Sequence, residues 1–243
     1  MNVKETNIPV IASLNAINKD IWVEYAKKIE KTGVDGLELN LYFSPSEIKN
    51  DPAQIEKRQF DIIREVKRNV KLPVSLKLSY FYTNSLNMIS RMDSTEVNGF
   101  VLFNRLFEPD VNIQSEKYFN PFNLSNKGDH KLPLRFTGSL YGNIKADICS
   151  STGIFTGEDV IKMMLAGASC IQCVSTLYKN GLENIAKMLK DIEKWMNDKG
   201  YKTLQDFKGK LANKNLNDPF TYSRAQYVDI LINQEVIIKE RNM

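Results

Sequence analysis

Short β-branched apolar runs alternate with longer segments of helical period along this sequence, and Gly or Pro punctuates most of the joins. Together these observations predict an α/β fold, a parallel sheet covered by helices that is either open and doubly wound or closed into a barrel. Six strands are expected: Ile8 to Leu14, Gly36 to Tyr42, Pro73 to Leu78, Gly99 to Asn104, Asp147 to Thr152 and Cys170 to Val174. Between successive starts there is room for a crossover helix, as βαβ units require. Asn18 opens a helix whose inner face is Ile21, Trp22, Tyr25, Ala26 and Ile29, and Gly33 closes it. A second helix runs from about Ala53 to Arg68 with Ile55, Ile62, Ile63 and Val66 inward. The stretch from Arg105 to Lys131 has no clear period and is too long for an ordinary connection, so it reads as a lid at about 105–131. A helix over Leu132 to Ile144 follows it. Thr156 and Asp159 form a capping box for a helix with Val160, Ile161, Met164 and Leu165 inward, stopped at Gly167. A long helix from about Leu182 to Lys199 carries Ile185, Met188, Leu189, Ile192 and Met196. Beyond Gly200 the alternation ends, and Tyr201 to Leu211 and Tyr222 to Ile232 read as terminal helices within about 201–235. No linker rich in Pro, Gly or Ser interrupts the chain, so residues 1–243 are expected to form a single domain.

Composition excludes several classes. With 42% hydrophobic and 26% charged residues, 12 Gly, 8 Pro and 3 Cys, the chain is neither disordered, collagen-like nor a disulfide scaffold. Three cysteines suit a reducing compartment. The net charge of +4 comes from basic residues spread along helices, an arrangement that argues against nucleic acid as partner. No run reaches the ~18 apolar residues a bilayer span needs, and Met1 to Thr6 carry no apolar signal core, so no membrane association and a cytoplasmic location are expected.

In parallel α/β folds function gathers where strands end at their carboxyl side, because the loops converge there and the following helices aim positive ends at one crevice. The strand ends here are Ser13 to Asn15, Asn40, Lys77, Asn104-Arg105, Ser151-Thr152-Gly153 and Ser175-Thr176. Lys77 interrupts an otherwise apolar strand, Val74-Ser75-Leu76-Lys77-Leu78, and a lysine so placed needs an anion or a ligand; snorkelling from an edge strand is its plain structural alternative. Asn40 and Asn104 can hydrogen-bond a planar polar ligand, or cap turns. Thr152 and Gly153, in a small-residue turn feeding a helix, suit a phosphate, and Ser175 with Thr176 offers a second set of donors. Cys170 and Cys173, three apart on a strand, point to opposite faces and read as packing residues. His130 reads as a surface or lid residue. A lysine-bearing barrel also admits aldolase or lyase chemistry, with Lys77 forming a Schiff base.

The ordered strand ends carry a resemblance. Leu37-Glu38-Leu39-Asn40-Leu41, Pro73 to Leu78, Val101 to Asn104, Ser151 to Ile154 with Thr156 to Asp159, Val174 to Leu177 with Gly181, and the tail Gly200-Tyr201 with Phe207 to Leu211 resemble the dihydroorotate dehydrogenases. The resemblance spans nearly the whole chain and looks closest to their divergent branch. It implies a TIM (β/α)8-type barrel, six of whose eight strands (the third to eighth β/α units) are evident. It further implies flavin mononucleotide (FMN), with Lys77 beside the flavin ring, Thr152, Gly153, Ser175 and Thr176 on the phosphate, and Asn40 and Asn104 on the flavin or a small pyrimidine-like substrate. The implied reaction is the oxidation of dihydroorotate to orotate in pyrimidine biosynthesis; a dihydropyrimidine dehydrogenase-type subunit and an inactive truncated barrel are the alternatives. The family usually places a Cys or Ser base in an Asn-x-Ser-Cys/Ser-Pro-Asn motif. Here the run is Asn40-Leu41-Tyr42-Phe43-Ser44-Pro45-Ser46, with one extra residue, and Ser44 is the candidate base. The first two β/α units have no counterpart before Ile8, so a homo-oligomer or a second chain supplying those units is an expected partner.

Overall fold

The structure is a computed structural model and describes residues 7–217, apart from 17, 42–47 and 106. Six parallel strands form one sheet in the order β1-β2-β3-β4-β7-β8: β1 Ile11–Leu14, β2 Gly36–Leu41, β3 Val74–Leu78, β4 Gly99–Leu102, β7 Asp147–Ser151 and β8 Cys170–Gln172. All six lie within the runs expected from sequence, each trimmed at one or both ends. Between β4 and β7 the chain forms an antiparallel hairpin, β5 Asp110–Asn112 and β6 Lys117–Phe119.

The helices form where their apolar stripes can cover this sheet. α1 (Lys19–Lys31) buries Trp22 and Ala26, and α2 (Pro52–Asn69) buries Phe60, Ile62, Ile63 and Val66. Asp51 caps α2 by accepting from the Ala53 N–H, and Pro52 at the first turn gives up no needed donor. Asn18 occupies the α1 cap position, but its side chain makes no capping bond. α3 (Ser85–Asp93) places Met88, Ile89 and Met92 on the core. α4 (Lys131–Leu140) stops four residues short of the expected Ile144, before Gly142 adopts φ 74°. α5 (Gly157–Ala166) carries the expected capping box of Thr156 and Asp159 and ends at left-handed Gly167. The short α6 (Ser175–Asn180) and α7 (Asn184–Lys199) follow.

The segment from Tyr201 to Leu211 is not the expected helix. It contains one 3-10 turn, Leu204–Asp206, and its amides are used elsewhere: Gly209 and Leu211 donate to the carbonyls of Met164 and Leu165. Those carbonyls belong to the last turn of α5, where the Met164 carbonyl also accepts from the Gly167 cap amide, so the tail completes the end of α5 instead of forming a helix of its own. The second terminal helix, Tyr222 to Ile232, lies outside the described residues.

The sheet is curled. β2 and β8 are four strand spacings apart, about 19 Å in a flat sheet, yet the Gln172 amide of β8 donates to Glu38 of β2 at 2.7 Å. Lys77 of β3 reaches the same Gln172 at 3.0 Å. Only a sheet rolled towards closure brings these side chains together, which gives six strands of a (β/α)8-type barrel. Leu39, Leu76 and Phe100, register partners on β2 to β4, face outward under the helices and are fully buried. The partners one residue along face the interior.

Candidate functional site

Register fixes what the interior presents. Side chains of partnered residues in a parallel sheet share a face, so Asn40, Lys77, Val101, Cys149 and Cys170 form one interior tier. Glu38 lies below Asn40, and Gln172 sits above Cys170 on β8. The Ser13 hydroxyl donates to Glu38 Oε1 at 2.6 Å, the Gln172 amide donates to Glu38 Oε2, and Lys77 Nζ donates to Gln172 Oε1. The Lys77 ammonium is 3.9 Å from Glu38, and both side chains are largely shielded from water. One tier up, Asn104 donates its amide to Asn40 Oδ1 at 2.9 Å, leaving the Asn40 amide protons and the Asn104 carbonyl oxygen turned to other partners.

The turn after β7 is strained. Thr152 and Gly153 have φ values of 80° and 74°; the first is unusual for a β-branched residue and is the kind of outlier that gathers at ligand sites. The Thr152 hydroxyl anchors the turn by donating to the Phe103 carbonyl at 3.1 Å. Among the described residues, the N–H groups of Gly153 and Ile154 donate to no protein acceptor. The α5 N-terminus itself is not open to an anion: Asp159 Oδ2 already accepts from the amides of Phe155 and Thr156 and from the Thr156 hydroxyl. The exposed donors are therefore in the turn before the helix and not at the helix end.

The stretch from Arg105 to Lys131 forms a strap across this end of the sheet. Arg105 bonds Asp129 Oδ2 at 2.6 Å and Asn123 Oδ1 at 3.1 and 2.9 Å. Between those two anchor points Ser125 N donates to the Ser175 hydroxyl at 2.8 Å, while Lys179 donates to the Ser125 carbonyl and Asn126. Beneath the strap lie two adjoining clefts. One, of about 210 Å³, is lined by Lys77, Asn104, Thr152, Gly153, Gln172 and Ser175 among others. The second, of about 330 Å³, shares Phe103, Asn104, Arg105 and Thr152 with it. Joined, they fall within the roughly 300–1,000 Å³ of ordinary ligand sites.

The structure thus gathers Lys77, Asn104, Thr152, Gly153 and Ser175 around one cleft, with Asn40 bonded to Asn104 at its edge. Thr176 is not among them. Its side chain is fully buried, and its hydroxyl is engaged by Phe155, Asn180 and Asn184. Residue-level reading placed it by adjacency to Ser175, but α6 turns the two side chains in different directions. Ser44 lies outside the described residues. His130 is not at the surface: its side chain is 12% exposed, its Nδ1 has no hydrogen-bond partner, and Asp159 Oδ1 stands 3.7 Å away. Cys170 is exposed and not a core residue, because it faces the open interior. Its register partner Cys149 holds the Cys170 thiol below its ordinary range and is itself pushed up by that neighbour and by burial. Cys173, which lines the cleft, is pushed up to about 11 by burial, so it offers no thiolate near neutrality. Sequence reasoning missed Glu38 and Gln172; their signal was a polar residue at an inward strand position, the same one that marked Lys77.

A family model described as dihydroorotate dehydrogenase matches residues 1–196. The chain belongs to the dihydroorotate dehydrogenase family. It is 27% identical over 215 residues to a putative dihydroorotate dehydrogenase A (fumarate) of Aeropyrum pernix, covering 85% of this chain and 69% of that protein. It is 29% identical over 209 residues to the catalytic subunit of a dihydroorotate dehydrogenase B (NAD(+)) of Methanocaldococcus jannaschii, covering 84% of this chain and 67% of that one. Among solved structures, the dihydroorotate dehydrogenase of Eimeria tenella in complex with ferulenol superposes with a TM-score of 0.64 at 18% identity. That match covers 80% of this chain and 59% of the other, and it speaks for the fold. The chain therefore spans about two thirds of the length of the curated relatives and less of the solved one. Dihydroorotate dehydrogenases are flavin-dependent oxidoreductases acting on a small pyrimidine, and the six-stranded partial barrel described above matches part of their fold. No helix among the described residues is long and apolar enough to cross a membrane.

Proposed function

We propose that this chain binds FMN in the cleft under the strap and oxidises a CH–CH bond of a dihydropyrimidine, with dihydroorotate to orotate as the reaction. The observation that carries this reading is the convergence of a shielded lysine, a pair of asparagines and a turn with unused amides on a single cleft. The donor set fits the cofactor. A phosphate needs several N–H and O–H donors, which Gly153, Ile154 and Ser175 offer, and an electron-rich ring needs one fixed cation near it, which Lys77 supplies. When bound, the flavin supplies the acceptor for the hydride leaving the substrate.

The chain's own residues do the rest. Asn40 and Asn104 hold each other in place and present an amide N–H pair and a carbonyl oxygen, matching the alternating donors and acceptors of a pyrimidine ring. Ser44 takes the proton from the carbon next to the one that loses hydride. Lys77, tied to Gln172, keeps its charge aimed at the cleft and stabilises negative charge on the bound ring. This setting favours electrostatic work over Schiff-base chemistry, because a nucleophilic lysine is usually desolvated in an apolar pocket or set beside another cation, whereas Lys77 has a carboxylate for a neighbour. Asn123, Leu124 and Ser125 of the strap line the cleft from above.

Reconstitution with FMN, followed by anaerobic addition of dihydroorotate or dihydrouracil, tests the reading. Retention of the yellow flavin band through gel filtration and its bleaching by dihydroorotate is the expected result. Bleaching by dihydrouracil alone assigns the dihydropyrimidine dehydrogenase type of substrate, and protein that holds no flavin overturns the proposal.

A further inference from the structure

We infer that Glu38, acting through Gln172, sets how much positive charge Lys77 presents to the cleft, and so sets the redox poise of the group bound there. The inference rests on the flavin reading above. Glu38 is buried at 3% exposure, and a buried carboxylate is costly unless it is matched by charge and hydrogen bonds. Both of its oxygens are matched: Oε1 by Ser13 and Oε2 by Gln172. Its nearest cation is Lys77, at 3.9 Å and not in direct contact. The spacing has a visible cause. Gln172 stands between them, its amide nitrogen donating to Glu38 and its amide oxygen accepting from Lys77. Without Gln172 the ammonium would close onto the carboxylate, and the two charges would cancel below the cleft.

The bridge therefore holds Lys77 in a half-compensated state. It is charged enough to favour electrons arriving on a ligand above, yet offset by a fixed negative charge beneath. A structural role for Glu38 would need only its two hydrogen bonds. The charge-setting role predicts opposite effects from two substitutions on one bridge.

The experiment measures the equilibrium of the FMN-loaded protein against a reference dye during stepwise reduction, for the unaltered chain, Glu38→Gln and Gln172→Met. Glu38→Gln removes the offsetting charge and shifts the equilibrium towards reduced flavin by about tenfold, or about 30 mV for a two-electron couple. Gln172→Met lets Lys77 pair with Glu38 and shifts it towards oxidised flavin by a similar factor. No shift in either variant, or shifts of the same sign, overturns the inference. If the unaltered chain binds no FMN, the flavin reading itself fails, an outcome distinct from flavin-loaded variants that do not diverge.

Discussion

At Gly153 the backbone turns with φ 74°, and a Cβ placed there would collide with the backbone nitrogen of His130 and the carbonyl carbon of Asp129. Gly153→Ala therefore both strains the turn and pushes the strap away from it. Strain of this kind costs roughly 1–3 kcal/mol; carried into binding it amounts to about ten- to hundredfold weaker FMN affinity, measurable by fluorescence titration. A second residue makes a prediction in pH. Burial pushes the Tyr82 hydroxyl up to about 12, and the hydroxyl donates to Gln59 Oε1 at 3.0 Å. Because the folded value lies above the unfolded one, near 10, the folded chain keeps its proton where the unfolded chain loses it. Stability from this source is whole below pH 10 and is lost as pH rises towards 12. Urea midpoints should fall more steeply between pH 10 and 12 in the unaltered protein than in Tyr82→Phe. At neutral pH, Tyr82→Phe should cost about 1 kcal/mol for the bond to Gln59. Residues of these two kinds differ in how far sequence reveals them. Gly153 and Lys77 were legible because each breaks a local rule, a glycine in a turn and a cation in an apolar strand. Glu38 and Gln172 carry the same local mark as Lys77, a polar residue at an inward strand position, but only their distant partners show what they do, and Tyr82 has no local mark at all.

The strap is the element on which access to the cleft depends, and two clamps hold it. Arg105 grips Asn123 and Asp129, and Ser175 with Lys179 grips Ser125 and Asn126 between them. The Arg105 pair is partly buried and charge-assisted, worth more than an exposed ion pair. Arg105→Ala should raise the population of the released strap by about tenfold for a loss of about 1.4 kcal/mol. Limited proteolysis between residues 107 and 128 should quicken by that factor, and FMN should dissociate faster. Lys179→Ala should do the same through the second clamp to a lesser degree; strap cleavage unchanged in both variants would refute the clamps. Sequence showed the strap as a stretch without period but could not show its hairpin. All residues of Asp110–Asn112 and Lys117–Phe119 are exposed, so no buried face imposes alternation on them. The strands of the main sheet were legible for the opposite reason, because their outward faces are buried under helices, as at Leu37, Leu39, Leu76 and Leu78. The tail from Tyr201 to Leu211 misled because Leu204, Phe207 and Leu211 mimic a helical period while the amides serve the carbonyls of α5.

Taken as one body, the described chain is a rolled sheet whose polar interior joins strands that are not neighbours. Ser13 on β1, Glu38 on β2, Lys77 on β3 and Gln172 on β8 form one hydrogen-bonded chain across the barrel interior, while the β1 and β8 edges pair with no further strand among the described residues. A ligand seated between Lys77, Asn104, the turn at Gly153 and Ser175 touches β3, β4, β7 and the start of α6 at once, so it braces the roll as well as filling the cleft. Binding to the folded state alone stabilises it by about 2.7 kcal/mol at a hundredfold excess over Kd, and for a chain of this size each kcal/mol moves Tm by roughly 2–4 °C. FMN should therefore raise the thermal midpoint by about 5–10 °C in a single cooperative transition. Lys77→Met, which removes both the cation at the cleft and the anchor of Gln172, should lower the midpoint of the flavin-free protein and lose most of the rise with flavin. A flavin-induced shift that is small while binding is tight would mean the ligand stabilises only the turn and strap, and the bracing of the sheet would be disproved by calorimetry that resolves two transitions in place of one.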